Sequence, residues 1–526
     1  MLPELKMPLV RSGQQTAFAG LNHTNGAGNG EIYDMTNLCG DEYPLLSSRK
    51  KRHSIAHAQG TPHGIYAAGS LFTVYGTKLY VDGAEKGTVT DTDKVFCALG
   101  ERVVIFPDKV IYANGALSAL ESRWAGGSLT FKDGTYAGED AQANTIYAAG
   151  INWTDYFKVG DAVTISGCTV HTENNRTSII REIDGANLRF YENTFTLGEG
   201  ETSYTETGTL KIERTVPDLD FLCSNENRIW GCKDDTICCC KLGDPFNWNV
   251  FDGLSTDAWS VESGKAGKFT GCVSYLGYPV FFKEDQIFKV YGSVPTNFQL
   301  MASATCGVMD GSAKSLAIAG EVLYYLSRVG IAQYSGGIPQ IISEPLGTAH
   351  FAAGSAGSDG LKYYVTLREG SAHKLYVYDT QKRLWHKEDA TQIVGAAYQN
   401  GLYAQTANGD ILLLGDPPVI PAGASEEQSV SSEAIFADFD FGTFDAKRVI
   451  RLNARIDVET GATVTAYISY DGEAWEAAGT VTATQKTVQE LMLPIERGDH
   501  FRMKFNATGA WKLCALRYEY HDGGRK

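Results

Sequence analysis

The chain has 526 residues, 43% hydrophobic and 21% charged, with a formal net charge of −16. That length exceeds a single compact core, and the composition is that of a globular chain rather than a disordered one. A balance this acidic argues against a surface built to grip nucleic-acid phosphates, which needs clustered Lys and Arg.

The 57 glycines and the 11% aromatic content, without long helical periodicity, predict an all-β chain rich in turns. Residues 1–53 read as an irregular leader or arm. The opening 1–15 lacks the continuous apolar run of a signal peptide, and no stretch approaches the ~20 apolar residues that span a bilayer, so membrane insertion is not expected. A Gly/Asn-rich patch follows Asn22. The basic cluster Lys50-Lys51-Arg52 reads as a solvated loop, with an arm onto an acidic neighbouring subunit as the alternative.

From 54 to 119 a three-strand rhythm appears twice. The first set is 64–67, 71–75 and 78–81, with a hairpin turn at Asp82-Gly83; the second is 94–99, 102–106 and 109–113. The rhythm breaks over 120–215. There, 156–167 reads as a loop entering a strand, 177–183 and 188–191 flank Asp184-Gly185 as a hairpin, and 208–213 closes the set. This predicts a small barrel-like β domain inserted between two blades, where loops of a repeat array tolerate insertion.

The rhythm resumes at 219–253, where 219–223, 228–232 and 236–241 form a meander followed by a loop on Gly243, Asp244 and Pro245. Four more triples follow, ending with 393–398, 402–405 and 411–414. A lone meander cannot bury both faces, so 54–119 and 216–416 predict a β-propeller of six or seven blades. The count turns on whether the leader lends a strand to close the ring. Residues 417–433, rich in Pro, Ser and Glu, read as a linker. Beyond them 434–526 reads as a separate C-terminal β-sandwich, with alternating runs at 448–458, 463–470, 488–493, 500–506 and 512–520.

No nucleophile elbow, zincin, P-loop or dinucleotide fingerprint occurs. The eleven cysteines are scattered and odd in number, and read as reduced thiols packed as small hydrophobes. Cys238-Cys239-Cys240 falls in a strand, where neighbours point to opposite faces and cannot share a metal. Cys232 and Cys238 lack the partners of a zinc site. His53, His57 and His63 cluster in sequence, with no acidic partner near in sequence. Asp234-Asp235 and the pair Asp438 and Asp440 read as turn or strand carboxylates, although glycoside hydrolysis would need two facing carboxylates about 5–9 Å apart. Asp471-Gly472 reads as a hairpin turn with Trp475 packed beneath it. The glycosylation-type sites at Asn22, Asn152, Asn175 and Asn506 mean little without export. No catalytic, cofactor-binding or metal residue is assigned, and no cofactor is expected.

Two patches carry a family resemblance. Asn37-Leu38 through Tyr43-Pro44-Leu45-Leu46-Ser47-Ser48-Arg49 is the first; Arg228-Ile229-Trp230-Gly231, the strand at 236–241 and Leu242-Gly243-Asp244-Pro245-Phe246-Asn247-Trp248 form the second. They resemble the tail-hub, DNA-stabilisation or tail-nozzle proteins of short-tailed bacteriophages. The likeness covers most of 15–415 in rhythm and only these patches in letters. It implies a non-enzymatic virion subunit with a propeller fold, assembled in the host cytoplasm into a homo-oligomeric ring, commonly a hexamer. Such a ring sits below the portal and adaptor, and packaged DNA is retained by it and leaves through it without tight binding. The competing expectation is a tail-borne glycan-binding or glycan-cleaving propeller, for which Trp153, Tyr156 and Phe157 are candidate contacts if they are not core of the inserted domain. A tail-tip or adaptor role in a long-tailed phage is a third.

Overall fold

The computed structural model describes residues 9–24, 28, 30–136, 139–442, 445–483, 487–493 and 496–521. The first eight residues and most of the Gly/Asn-rich patch lie outside these. The chain is all-β, built from propeller blades, a closed barrel and a two-sheet sandwich. Among the described residues no helix is long and apolar enough to cross a membrane. Two compact units divide it, 1–76 with 308–526, and 77–307.

In the second unit, three four-stranded antiparallel meanders and one hairpin surround the inserted barrel in sequence. The 219–253 stretch gives Phe221–Asn225, Arg228–Lys233 and Thr236–Cys239, and its fourth strand is Trp259–Glu262. The first hairpin turns through Glu226 and Asn227, both at positive φ (47° and 56°), the geometry that matches strand twist in a two-residue turn. The other meanders begin with Val95–Leu99 and Gly271–Tyr275, and the hairpin is Lys78–Val81 with Ala84–Thr88. The barrel has six strands, and its long first strand, Ser122–Gly134, pairs with both Gln142–Tyr147 and Ser203–Arg214. Leu129, Phe131, Ile146, Val163, Leu188 and Ile212 fill it.

The first unit holds the hairpin Pro62–Ala68 with Ser70–Tyr75, three blades and the sandwich. Its last blade is completed by the leader. His53–Ile55 lies antiparallel between Ile411–Leu414 and Ser425–Glu426, and so supplies the fourth strand. The inner strand of that blade, Ile393–Tyr398, packs beside Pro62–Ala68, where a Cβ on Gly395 would stand 3.1 Å from Ile65 Cγ2.

Three expectations need correction. The three-strand reading missed a fourth strand in each meander. Most of those strands, such as Gln299–Ala304 and Ala116–Ala119, are largely exposed and lack an apolar alternation to read. Ala353–Ser358 was missed for the opposite reason. It is an inner strand of Ala, Gly and Ser, and a Cβ on Gly357 would come within 2.5 Å of Ala396 Cβ.

Second, the described part of 1–53 is no irregular arm. Val10–Gln15, Leu38–Cys39 and Leu46–Ser48 join the sandwich sheet of Trp511–His521 and Arg448–Val458, while Ile32–Thr36 joins the sheet of Ser431–Phe436 and Phe501–Thr508. Third, 417–433 is not a free linker and the sandwich is not separate. Ser425–Glu426 is paired to the leader, and one core runs from Leu452, Val464 and Phe505 through Phe18, Ile32 and Leu38 to Tyr324, Tyr363 and Trp385 of the blades. Strand pairings across nearly the whole chain length leave no local periodicity from which to read them.

Candidate functional site

Within the first unit, where leader, last blade and sandwich meet, lies a cleft of about 720 Å³, inside the range typical of small-molecule sites. One wall is the leader from Ser47 to Lys51 with His53. Asp416, Pro417, Glu426, Trp511 and Lys512 line the cleft as well. Trp511 is held by its indole N–H, which donates to Ser432 Oγ at 2.8 Å.

The basic cluster that reads as a solvated loop is instead spent on this chain's own acids. Lys50 pairs with Asp416, and Lys51 Nζ lies 3.1 Å from Glu426 Oε2. Arg52 turns inward, its Nη2 on Glu388 and its Nη1 2.9 Å from Asp389 Oδ2. Burial works against the Arg52 charge, and the Glu388 and Asp389 carboxylates more than reverse it, raising its affinity for the proton. Arg49 grips Glu427 with both terminal nitrogens and donates from Nε to Asn37 Oδ1 at 2.8 Å, while Asn37 Nδ2 donates to Ser431 O. Burial pushes the Glu427 and Asp389 carboxyls up, but Arg49 for the former and Arg52 for the latter hold both below the usual carboxylate range. Behind this network His386 is fully enclosed. Burial, then Lys362, lowers its pKa to about 4, so it stays neutral.

The other candidates are dispersed. His53 Nε2 is 3.8 Å from Glu426, and His57 Nε2 is 3.4 Å from Asp410 with its ring stacked on Tyr75. Both acidic partners are remote in sequence. Among the described residues the three histidines form no set of converging ligand atoms; the one such set is Asp471, Asp499 and His500 on the sandwich. His500 Nδ1 stands 3.6 Å from Asp471, and Lys447 Nζ, which donates to Asp499 O, already brings a positive charge there. Asp235 pairs with Lys283, Asp438 with Arg502, and Asp440 accepts from Gly442 N, so each has a local structural task.

Trp153 and Phe157 are core of the barrel, with Tyr156 packed against them, and Trp153 Nε1 donates to Ala186 O at 2.9 Å. Cys238 and Cys240 pack on one side of their blade and Cys239 on the other, as strand alternation requires. Asp471 and Gly472 both take positive φ, as an Asp-Gly hairpin does. Trp475 is half-buried and carries Lys504 Nζ 4.8 Å above its ring.

The second resemblance patch is equally inward. Arg228, 2% exposed, donates to the carbonyls of Cys240, Ser255 and Asp257. Asn247 accepts from Ala162 N at 2.8 Å and donates to Asp161, which also pairs with Arg214, so the blade loop is tied to the barrel. The one signal in the sequence for either network was the cluster of side chains able to hydrogen-bond; nothing named their partners.

No family model matches the sequence, and no curated protein does. The solved structures this fold is similar to include an exo-β-1,3-galactanase from Phanerochaete chrysosporium, at 8% identity, covering 56% of this chain and 94% of that one, with a TM-score of 0.21. An auxiliary nutrient binding protein from Bacteroides thetaiotaomicron matches at 12% identity over 68% of this chain and 97% of its own, with a TM-score of 0.25. A protein from Lactobacillus plantarum matches at 12% identity over 57% and 99%, also at 0.25. At such scores these likenesses carry no argument about activity.

Proposed function

We propose that this chain is a non-enzymatic structural subunit of a bacteriophage tail, a hub or nozzle that assembles as a ring below the portal and adaptor and through which packaged DNA is retained and released. One observation carries the reading: the residues that resemble that family are internal fasteners. Arg49 clamps the leader to Glu427, and Arg228 and Asn247 hold a blade loop to itself and to the barrel. A rigid wall that transmits force needs such ties. The net charge of −16 suits a surface that duplex DNA must leave. Mass spectrometry of purified particles, with native mass spectrometry of the isolated protein, tests this. A ring stoichiometry in the virion is expected; absence from particles, or sub-micromolar duplex binding at physiological salt, would remove the reading.

A second reading is a tail-borne glycan binder or hydrolase. The cleft's volume and its mixed polar rim of Lys50, Lys51, Glu426 and Lys512 support it. Binding or cleavage of host surface polysaccharide, lost on substituting these rim residues, would establish it in place of the first.

A further inference from the structure

Seven of the eleven cysteines fall in the blades of the second unit flanking the barrel and just after it, and four of them, Cys223, Cys232, Cys239 and Cys272, share one apolar cluster. Cys223 and Cys232 are buried in it with Trp230, Phe269, Phe281 and Phe288, and Cys272 packs against them. Cys223 sits on Phe221–Asn225 and Cys272 on Gly271–Tyr275, the first strands of two successive blades. These strands run side by side in step: two residues beyond each cysteine, Asn225 Nδ2 donates to Ser274 Oγ at 2.9 Å. One strand step back, Cys223 and Cys272 meet in the shared cluster, close enough for their thiols to act on one another, and Cys232 acts on Cys272 as well. Two short side chains facing each other across neighbouring strands is the placement a disulfide requires. Cys223 and Cys232 are placed otherwise. In their own hairpin Cys223 faces Trp230 and Cys232 faces Phe221, a diagonal of ~7–8 Å that a disulfide does not bridge.

Burial separates Cys272 from the others. Cys223, Cys232 and Cys239 are buried, whereas Cys272 is only half-buried and is the least enclosed of the four. For Cys223 the hydrogen bond to Cys272 and then burial, and for Cys272 burial first, hold the thiols well above their ordinary range. Scarce thiolate makes reaction slow, so the pair persists as thiols in a reducing cell.

We propose that Cys272 and Cys223 form a redox-made staple between two successive blades, closed by a low-molecular-weight disulfide oxidant. The Cys272 thiolate attacks one sulfur of the oxidant, RSSR, giving the Cys272–SR mixed disulfide and releasing RS⁻. The Cys223 thiolate then attacks the Cys272 sulfur, forming the protein disulfide and releasing the second RS⁻. Two protein thiols are oxidised, two oxidant sulfurs are reduced, and both protein protons pass to the released thiolates. The staple locks the packing of the two sheets and does not depend on the function proposed above.

The test uses the full chain, held under reductant and then exposed to excess oxidised glutathione for hours. Free thiols are blocked with excess alkylating agent as the chain is denatured, and the digest is mapped without reduction. The expected result is a linked Cys223–Cys272 peptide, with Cys238, Cys239 and Cys240 unlinked, and an unfolding midpoint raised by about 2–4 °C. C272S removes both the link and the shift while keeping the reduced protein's midpoint. C223S stops at the glutathione adduct on Cys272. Absence of the link in folded wild type, or a dominant Cys232–Cys272 link, would overturn the assignment.

Discussion

Arg49 and Glu427, 378 positions apart, meet in a two-pronged ion pair, Nη1 to Oε2 at 2.7 Å and Nη2 to Oε1 at 3.0 Å. The planar fork of the guanidinium fits the carboxylate, so the contact fixes orientation as well as distance. It joins the last residues of the leader to the segment entering the sandwich, beside the strand by which His53–Ile55 completes a blade. The two distant parts of the chain are thereby held at one edge of one unit.

The Arg52 pair with Glu388 is the more buried part of this clamp, each side chain 9% exposed. Arg52→Ala leaves Glu388 buried and without its strongest partner. A loss of about 3–5 kcal/mol is expected, read as a fall in the denaturant midpoint of the first unit's transition. A double-mutant cycle with Glu388→Gln should show strong coupling.

His386 makes the first unit sensitive to mild acid. Its folded pKa of about 4 lies below its unfolded 6.5, so the unfolded chain binds more protons between those values and stability rises with pH there. The contribution is complete above about pH 6.5 and is lost as pH falls through 4; the depression corresponds to at most about 3 kcal/mol. Thermal midpoints measured from pH 7 to pH 4 should fall more steeply for the wild type than for His386→Asn.

Asn247 should prove a tie between barrel and blade loop. Asn247→Ala strips the partner from the Ala162 amide and from buried Asp161, at about 2–4 kcal/mol. Faster hydrogen exchange at Ala162 and quicker proteolysis near residues 120 and 215 are the expected signs. Unchanged exchange would mean the barrel holds itself in place.

Gly357→Ala tests the inner strand. The added methyl would meet Ala396 Cβ at 2.5 Å and Leu402 Cδ1 at 2.9 Å, so a loss of about 1–3 kcal/mol is expected from overpacking. Calorimetry against Gly360→Ala does not suit as a control, because Gly360 has φ 95°. Gly337→Ala does, having open space around it.

Blade strands with alternating apolar residues and Asp-Gly or Asn-Gly turns were legible directly: 102–106, 228–232 and 279–283 fall within or on observed strands. Outer strands such as Gln299–Ala304 carry little apolar pattern, and Ala353–Ser358 carries small residues demanded by a neighbour rather than by its own period. The cleft was hidden for a related reason. Lys50, Lys51 and Arg52 look free until the acids at 388, 389, 416 and 426 are brought to them.

By itself the sequence determined the all-β class, the repeating meanders and the inserted barrel, because period-two alternation and turn chemistry are local and act through neighbouring residues. Only the tertiary structure decided that the leader belongs to the sandwich and to the last blade, that the basic cluster is neutralised within the chain, and that Cys223 faces Cys272. Those facts depend on pairings between segments tens to hundreds of residues apart, which chain folding brings together and no local pattern encodes.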